Sequence, residues 1–237
     1  MMEMVKIAIV DYGLGNLFSV KHACEYVGMH ATVTSSKEEI LRADAVILPG
    51  IGAFGDAMEA LEKLDLSNTL RDIASEKPLV GICLGMQLLM TESFEFGKHH
   101  GLEIIDGQVV RFEDLMPGSK KVKVPQVGWN RILRRAGKLS GDDKSDSATG
   151  SWAGSPLRGL HDGEFMYFVH SFYVRPQDSR VILSISRYGD IEFCSSLQYR
   201  NVFATQFHPE RSGPQGLQIY RNLAADLTNR RKGNVSK

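Results

Sequence analysis

Apolar positions along the chain switch between two periods. Lys6-Ile7-Ala8-Ile9-Val10, Ala45-Val46-Ile47-Leu48 and Leu79-Val80-Gly81-Ile82 are short, almost unbroken apolar runs, as expected of central parallel strands covered on both faces. Between them Leu17, Val20, Ala23, Cys24 and Val27 recur at helical spacing until Gly28. Met58, Leu61 and Leu64, then Leu70, Ile73 and Ala74, mark the buried stripes of helices over 56–63 and 67–76. Thr32 to Thr34 adds a short strand, Glu38 to Arg42 a short helix, and Leu84 to Met90 reads as one side of a helix. The alternation predicts an α/β chain with a doubly wound, flavodoxin-like mixed sheet flanked by helices.

Beyond residue 90 the alternation stops. Leu102 to Ile105 and Gln108 to Phe112 read as strands around Gly107, and Lys121 to Pro125 alternates charge with valine like a half-exposed strand. Phe165 to Val169, Val181 to Ile185, Glu192 to Leu197 and Val202 to Phe207 predict four strands of an antiparallel meander that extends the sheet. An amphipathic helix from about Gly216 closes the pattern, carrying Leu217, Ile219, Tyr220, Leu223, Ala224 and Leu227, with a basic tail expected to fray. Arg134 through Ser155 holds glycine, serine, aspartate and lysine with hardly any apolar residue, which predicts a solvated surface insertion. It is not a boundary, because the later strands need the earlier sheet, so 1–237 reads as a single domain.

Composition removes several function classes. The 28 basic and 28 acidic residues balance, which gives no electrostatic case for nucleic acid or an anionic membrane. No apolar run approaches the roughly 20 residues that span a bilayer. Met1 to Lys6 runs straight into the first strand without a secretory pattern, so the chain is expected to be cytoplasmic. Cys24, Cys83 and Cys194 fit neither a disulfide framework nor zinc-ligand spacing. Gly13-x-Gly15 lacks the third glycine of a dinucleotide fingerprint, since Phe18 stands there; the glycines read as a tight turn with Asn16 as helix cap. No cofactor and no metal is implied.

One stretch does carry chemistry. Gly81-Ile82-Cys83-Leu84-Gly85 places a cysteine where a strand turns into a helix, with the spacing of a hydrolase nucleophile elbow. The glycines leave room for the reversal, and the helix start favours a thiolate. A lone cysteine of this kind is more often a structural residue. What shifts the balance is Phe207-His208-Pro209-Glu210 at the end of another apolar strand, where Glu210 can hold one tautomer of His208 as in a Cys-His-acid triad. Pro49-Gly50-Ile51-Gly52-Ala53-Phe54-Gly55 ends a neighbouring strand and reads either as a plain turn or as a nest of N–H groups facing an anion. Its place at a strand's carboxyl end favours the nest.

Together these motifs resemble the class I (triad) glutamine amidotransferases. More narrowly, Asp11 to Leu17, Leu48 to Asp56, Val127-Gly128-Trp129-Asn130, Tyr167 to Ser171 and Gln206 to Gly213 are similar to the glutaminase subunits of imidazole glycerol phosphate synthases, in the same order over nearly the whole chain. The resemblance implies the class I amidotransferase fold with a C-terminal antiparallel extension. It implies that Cys83, His208 and Glu210 hydrolyse glutamine. Backbone around Gly50, Ile51, Gly52 and Leu84 would hold the oxyanion, and Gln87 with His170 and Ser171 the substrate's amino-acid end. It also implies a heterodimer with a (β/α)8 synthase subunit, towards which Asn16, Trp129, Tyr167 and Arg211 would lie. That partner uses the ammonia to form imidazole glycerol phosphate and aminoimidazole carboxamide ribotide in histidine biosynthesis.

Three positions depart from the family pattern: Gln126 replaces a histidine, Phe172 a tyrosine and Arg211 a lysine. None touches the triad; the arginine keeps the charge but changes the hydrogen-bond geometry available to a partner. Three other readings compete. A paralogous glutaminase subunit could feed a sugar amidotransferase of surface polysaccharide synthesis. A non-catalytic regulatory module on this fold is opposed by retention of all three triad residues. A cysteine peptidase or deglycase would share the elbow but not the Pro-Gly-Ile-Gly-Ala-Phe-Gly loop.

Overall fold

The structure, a computed structural model, describes residues 4–112, 122–135 and 152–235. The first half follows the predicted alternation: β1 (Lys6–Val10), α1 (Leu17–Tyr26), β2 (His30–Thr34), α2 (Lys37–Arg42), β3 (Ala45–Leu48), α3 (Phe54–Lys63), α4 (Ser67–Glu76), β4 (Leu79–Ile82) and α5 (Leu84–Leu88). Next come β5 (Met90–Ser93), β6 (His99–His100), β7 (Ile105–Arg111), β8 (Gln126–Arg134), β9 (Glu164–His170) and β10 (Phe172–Pro176). β11 (Ile182–Tyr188), β12 (Ile191–Tyr199), β13 (Val202–Thr205) and α6 (Gly213–Val235) complete the described chain.

The main sheet runs β2-β1-β3-β4-β13-β12-β11-β8-β9. Pairing is parallel from β2 to β13 and antiparallel beyond it. β1 shows why its strands are apolar throughout. Ile7 and Ile9 join one hydrophobic cluster with Val20, Phe207 and Tyr220, while Ala8 and Val10 join the other with Phe54, Leu61 and Leu70. Both faces are covered, as a parallel sheet requires.

Long-range pairing corrects several expectations. The last strands are not one meander: β11, β12 and β13 are, but β8 sits between β11 and β9. A second sheet, β10-β7-β5-β6, was not anticipated. Met90, expected in a helix, starts β5, and α5 is only five residues long. Residues 102–104 are not a strand; one strand, β7, runs through Gly107. Residues 122–125 are not a strand either, and Lys121 lies outside the described residues. Leu64 is exposed, and Leu66 fills the buried position beside it.

Of the expected surface insertion, residues 136–151 lie outside the described residues. Its described ends are not a solvated loop. Arg134 closes β8, while Trp152 and Ser155 are buried and the Trp152 indole N–H donates to the Leu183 carbonyl at 2.9 Å. Among the described residues no helix is long and apolar enough to cross a membrane.

Candidate active site

β4 and β13 are parallel neighbours with Ile82 paired to Thr205, so the residues that follow them emerge together at one sheet edge. The Cys83 N–H continues the ladder by donating to the Thr205 carbonyl at 2.8 Å. Cys83 itself has φ 54° and ψ −107°, a left-handed conformation unusual for a side chain with a Cβ and costing about 1–3 kcal/mol. Packing around it leaves little choice. A Cβ at Gly85 would stand 1.7 Å from the Leu48 carbonyl oxygen of β3, and one at Gly81 would stand 3.0 Å from backbone atoms of Gly85 and Met86. The two glycines let a helix start directly against the neighbouring strand, and the cysteine absorbs the turn.

The 3-10 turn Pro209–Arg211 follows β13 and brings His208 and Glu210 to the same edge. His208 Nδ1 and Glu210 Oε1 are 2.8 Å apart, with both side chains almost wholly buried. A carboxylate can only accept, so Nδ1 carries the hydrogen and Nε2 is left as the basic nitrogen. Nε2 makes no hydrogen bond of good geometry among the described residues, but lies close enough to the Cys83 sulfur to interact with it. Burial disfavours the imidazolium, yet the Cys83 sulfur and then the Glu210 carboxylate outweigh it and raise the His208 pKa above its ordinary value. The expected juxtaposition of Cys83, His208 and Glu210 is present.

Gly50 sits beside the elbow: a Cβ on it would lie 3.0 Å from the Leu84 Cβ and 2.1 Å from the Tyr12 hydroxyl. That hydroxyl donates to the Pro49 carbonyl at 2.7 Å and so holds the peptide that carries the Gly50 N–H. The Leu84 N–H is in the first turn of α5, where no intrahelical acceptor exists. Ile51 is exposed and Gly52 has φ 106°. The loop downstream is pinned by Glu95, which accepts from the Phe54 N–H at 2.6 Å and supplies the cap that Ala53 cannot.

The residues expected to hold substrate make internal bonds as well. Gln87 Nε2 donates to the Phe172 carbonyl at 2.9 Å and to Gln206 Oε1 at 3.2 Å. His170 Nδ1 lies 2.8 Å from the same Phe172 carbonyl, and the Ser171 carbonyl accepts from the Phe112 N–H. Burial among Phe112, Phe168 and Phe193 pushes the His170 pKa down to about 3; the Phe172 bond opposes this and nearby His208 adds to it.

Trp129 and Tyr167 face each other across β8 and β9 in an edge-on contact at 6.0 Å, and the Arg211 guanidinium lies over the Tyr167 ring at 4.7 Å. Trp129, Val127 and Phe165 leave an exposed apolar surface on that ribbon. Asn16 caps α1, accepting from the Ser19 N–H at 3.4 Å. Gln206 was missed by sequence reasoning: it is wholly buried, and its Nε2 lies 3.6 Å from the Cys83 sulfur. Its signal in the sequence was its place two residues before His208, at the start of the Gln206 to Gly213 motif.

A cysteine elbow at the carboxyl edge of a mixed sheet, with a buried His-Glu pair on the next strand, defines the fold of a triad amidotransferase. Among solved structures it is similar to PurLQS of Thermotoga maritima, with a TM-score of 0.64 and 18% identity over 95% of this chain and 100% of that one. The family model described as glutamine amidotransferase class-I matches residues 8–227, and the chain belongs to that family. The chain is 42% identical to the imidazole glycerol phosphate synthase subunit HisH of Geobacter sulfurreducens over 223 residues, 93% of this chain and 98% of the relative. It is also 42% identical to the Aquifex aeolicus subunit of the same name over 221 residues, 92% of this chain and 96% of that one.

Proposed function

We propose that this chain is the glutaminase subunit of an imidazole glycerol phosphate synthase, a one-domain cytoplasmic protein of histidine biosynthesis. One observation carries the chemistry: the His208–Glu210 pair at 2.8 Å leaves a basic Nε2 toward the Cys83 sulfur. The pathway rests on the likeness to HisH subunits over more than nine-tenths of the chain.

The Cys83 thiol passes its proton to His208 Nε2 as Sγ attacks the side-chain amide carbon of glutamine. The oxyanion is held by N–H groups near Gly50, Ile51 and Leu84, each such donor contributing about 3 kcal/mol. His208 returns the proton to the amide nitrogen, the C–N bond breaks, and ammonia leaves. His208 then takes a proton from water as its oxygen adds to the glutamyl thioester. Sγ departs with that proton and glutamate is released. Glu210 steadies the imidazolium in both halves. Gln87, His170 and Ser171 hold the amino-acid end of glutamine. Ammonia passes to a (β/α)8 synthase subunit docked on the ribbon of Trp129 and Tyr167, beside Asn16 and Arg211.

In a mixture with the synthase subunit, Cys83→Ala should abolish glutamine-dependent product formation and leave ammonia-dependent formation intact. Glutamine turnover near that of the unmutated chain would rule out the nucleophile. If a sugar amidotransferase, and not this synthase, raises glutamine hydrolysis, the pathway assignment fails and the chemistry stands. An electrophilic glutamine analogue should label Cys83 alone, because burial pushes the Cys24 thiol up to about 12 and the Cys194 thiol up as well.

A further inference from the structure

We propose that Gln206 is an amide clamp on the nucleophile, donating Nε2–H to Cys83 Sγ with its orientation fixed by Gln87. The inference rests on the reading of Cys83 as nucleophile and adds a group that the triad does not contain.

The register puts Gln206 in place. Thr205 pairs with Ile82, and the Cys83 N–H donates to the Thr205 carbonyl, so the next residues on the two strands, Cys83 and Gln206, leave the ladder side by side. Gln206 is 0% exposed and its own N–H is held by the Ser195 carbonyl at 2.9 Å.

An amide's oxygen and nitrogen are nearly indistinguishable by shape, so their assignment must come from the bonds around them. Here the chain of bonds begins at a backbone carbonyl, which can only accept. Phe172 O therefore requires the NH2 of Gln87 at 2.9 Å. The same NH2 faces Gln206 at 3.2 Å, so the Gln206 atom there is its oxygen. That leaves the Gln206 NH2 turned to the sulfur at 3.6 Å. Reversing Gln206 would set two NH2 groups against each other and point a carbonyl oxygen at the sulfur.

The sulfur is thus held between two groups of opposite character. Its S–H faces the Val169 carbonyl at 3.8 Å, and the Gln206 N–H faces it from β13. When the proton moves to His208, the Val169 contact loses its hydrogen, while the Gln206 bond becomes charge-assisted and strengthens. Gln206 therefore favours the reactive form of the sulfur and fixes its direction. A glutamine that merely filled space would be indifferent to the sulfur's protonation.

The test reads the alkylation rate of Cys83 by iodoacetamide against pH, which needs no glutamine turnover. In Gln206→Met, of similar shape but without a donor, the pH of half-maximal alkylation should rise by about one unit. An unchanged profile in a variant with native near-UV circular dichroism would overturn the clamp. The unmutated chain gives a second reading should that variant not fold. The Gln206 side-chain amide 15N resonance should move on alkylation of Cys83 and differ again in Cys83→Ala. A resonance blind to both changes would overturn the clamp, whatever the glutaminase assay shows. Loss of glutaminase activity on alkylation is a separate outcome that bears on the proposed function.

Discussion

The two buried histidines stand in regions that differ in one respect. His170 and His208 are 6% and 3% exposed, and each has its Nδ1 2.8 Å from an oxygen. Around His170 the neighbours are aromatic rings and a neutral carbonyl, and the imidazole is driven to its uncharged form. Around His208 stand a sulfur and a carboxylate, and the imidazolium is favoured. Burial by itself therefore does not decide what a histidine does; anions inside the pocket do. Two residues of one type, close enough to feel each other's charge, have their proton affinities pushed in opposite directions.

Removing the anion from the second pocket should have the largest effect. Glu210→Gln keeps the size but removes the charge and the fixed acceptor, so kcat/KM for glutamine should fall on the order of 10^3-fold, measured with the synthase subunit present. Charging the first pocket comes next. His170 has a lowered folded-state value, so the stability it contributes is present above its unfolded value near 6.5 and is lost as pH falls toward about 3. At pH 5 this residue should cost the fold about 2 kcal/mol relative to pH 7. Denaturant melts should show that loss shrinking in His170→Phe; an equal loss would mean the ring is already charged. The smallest effect should come from the outer face of the same ribbon. Trp129→Ala should weaken synthase-dependent glutamine hydrolysis by about tenfold and leave the isolated chain unchanged. An equal loss in the isolated chain would assign Trp129 to the fold.

The elbow and the His-Pro-Glu turn were legible because each is local: the glycines at 81 and 85 and the spacing of His208 and Glu210 act within a few residues. The parallel half was legible for a similar reason, since the apolar runs of β1, β3 and β4 are separated there by helical stripes. What sequence could not show was pairing at long range. Nothing in Gln126 to Arg134 says that it will sit between β11 and β9, and Phe172 to Pro176 gave no sign of joining β7 in a second sheet. Trp152, in a stretch poor in apolar residues, joins the buried cluster that holds Leu157 and Leu160, with its indole N–H on the Leu183 carbonyl. Gln206 escaped for the same reason, since its contact with Cys83 comes from register alone.

The most direct measurement is the pH titration of the two buried imidazoles by 15N NMR, in the unmutated chain and in Cys83→Ala. His208 should titrate above its ordinary value and move downward when the sulfur is removed, while His170 should stay uncharged through the accessible range in both. A His208 titration that does not respond to Cys83→Ala would mean that the sulfur and the imidazole are not partners.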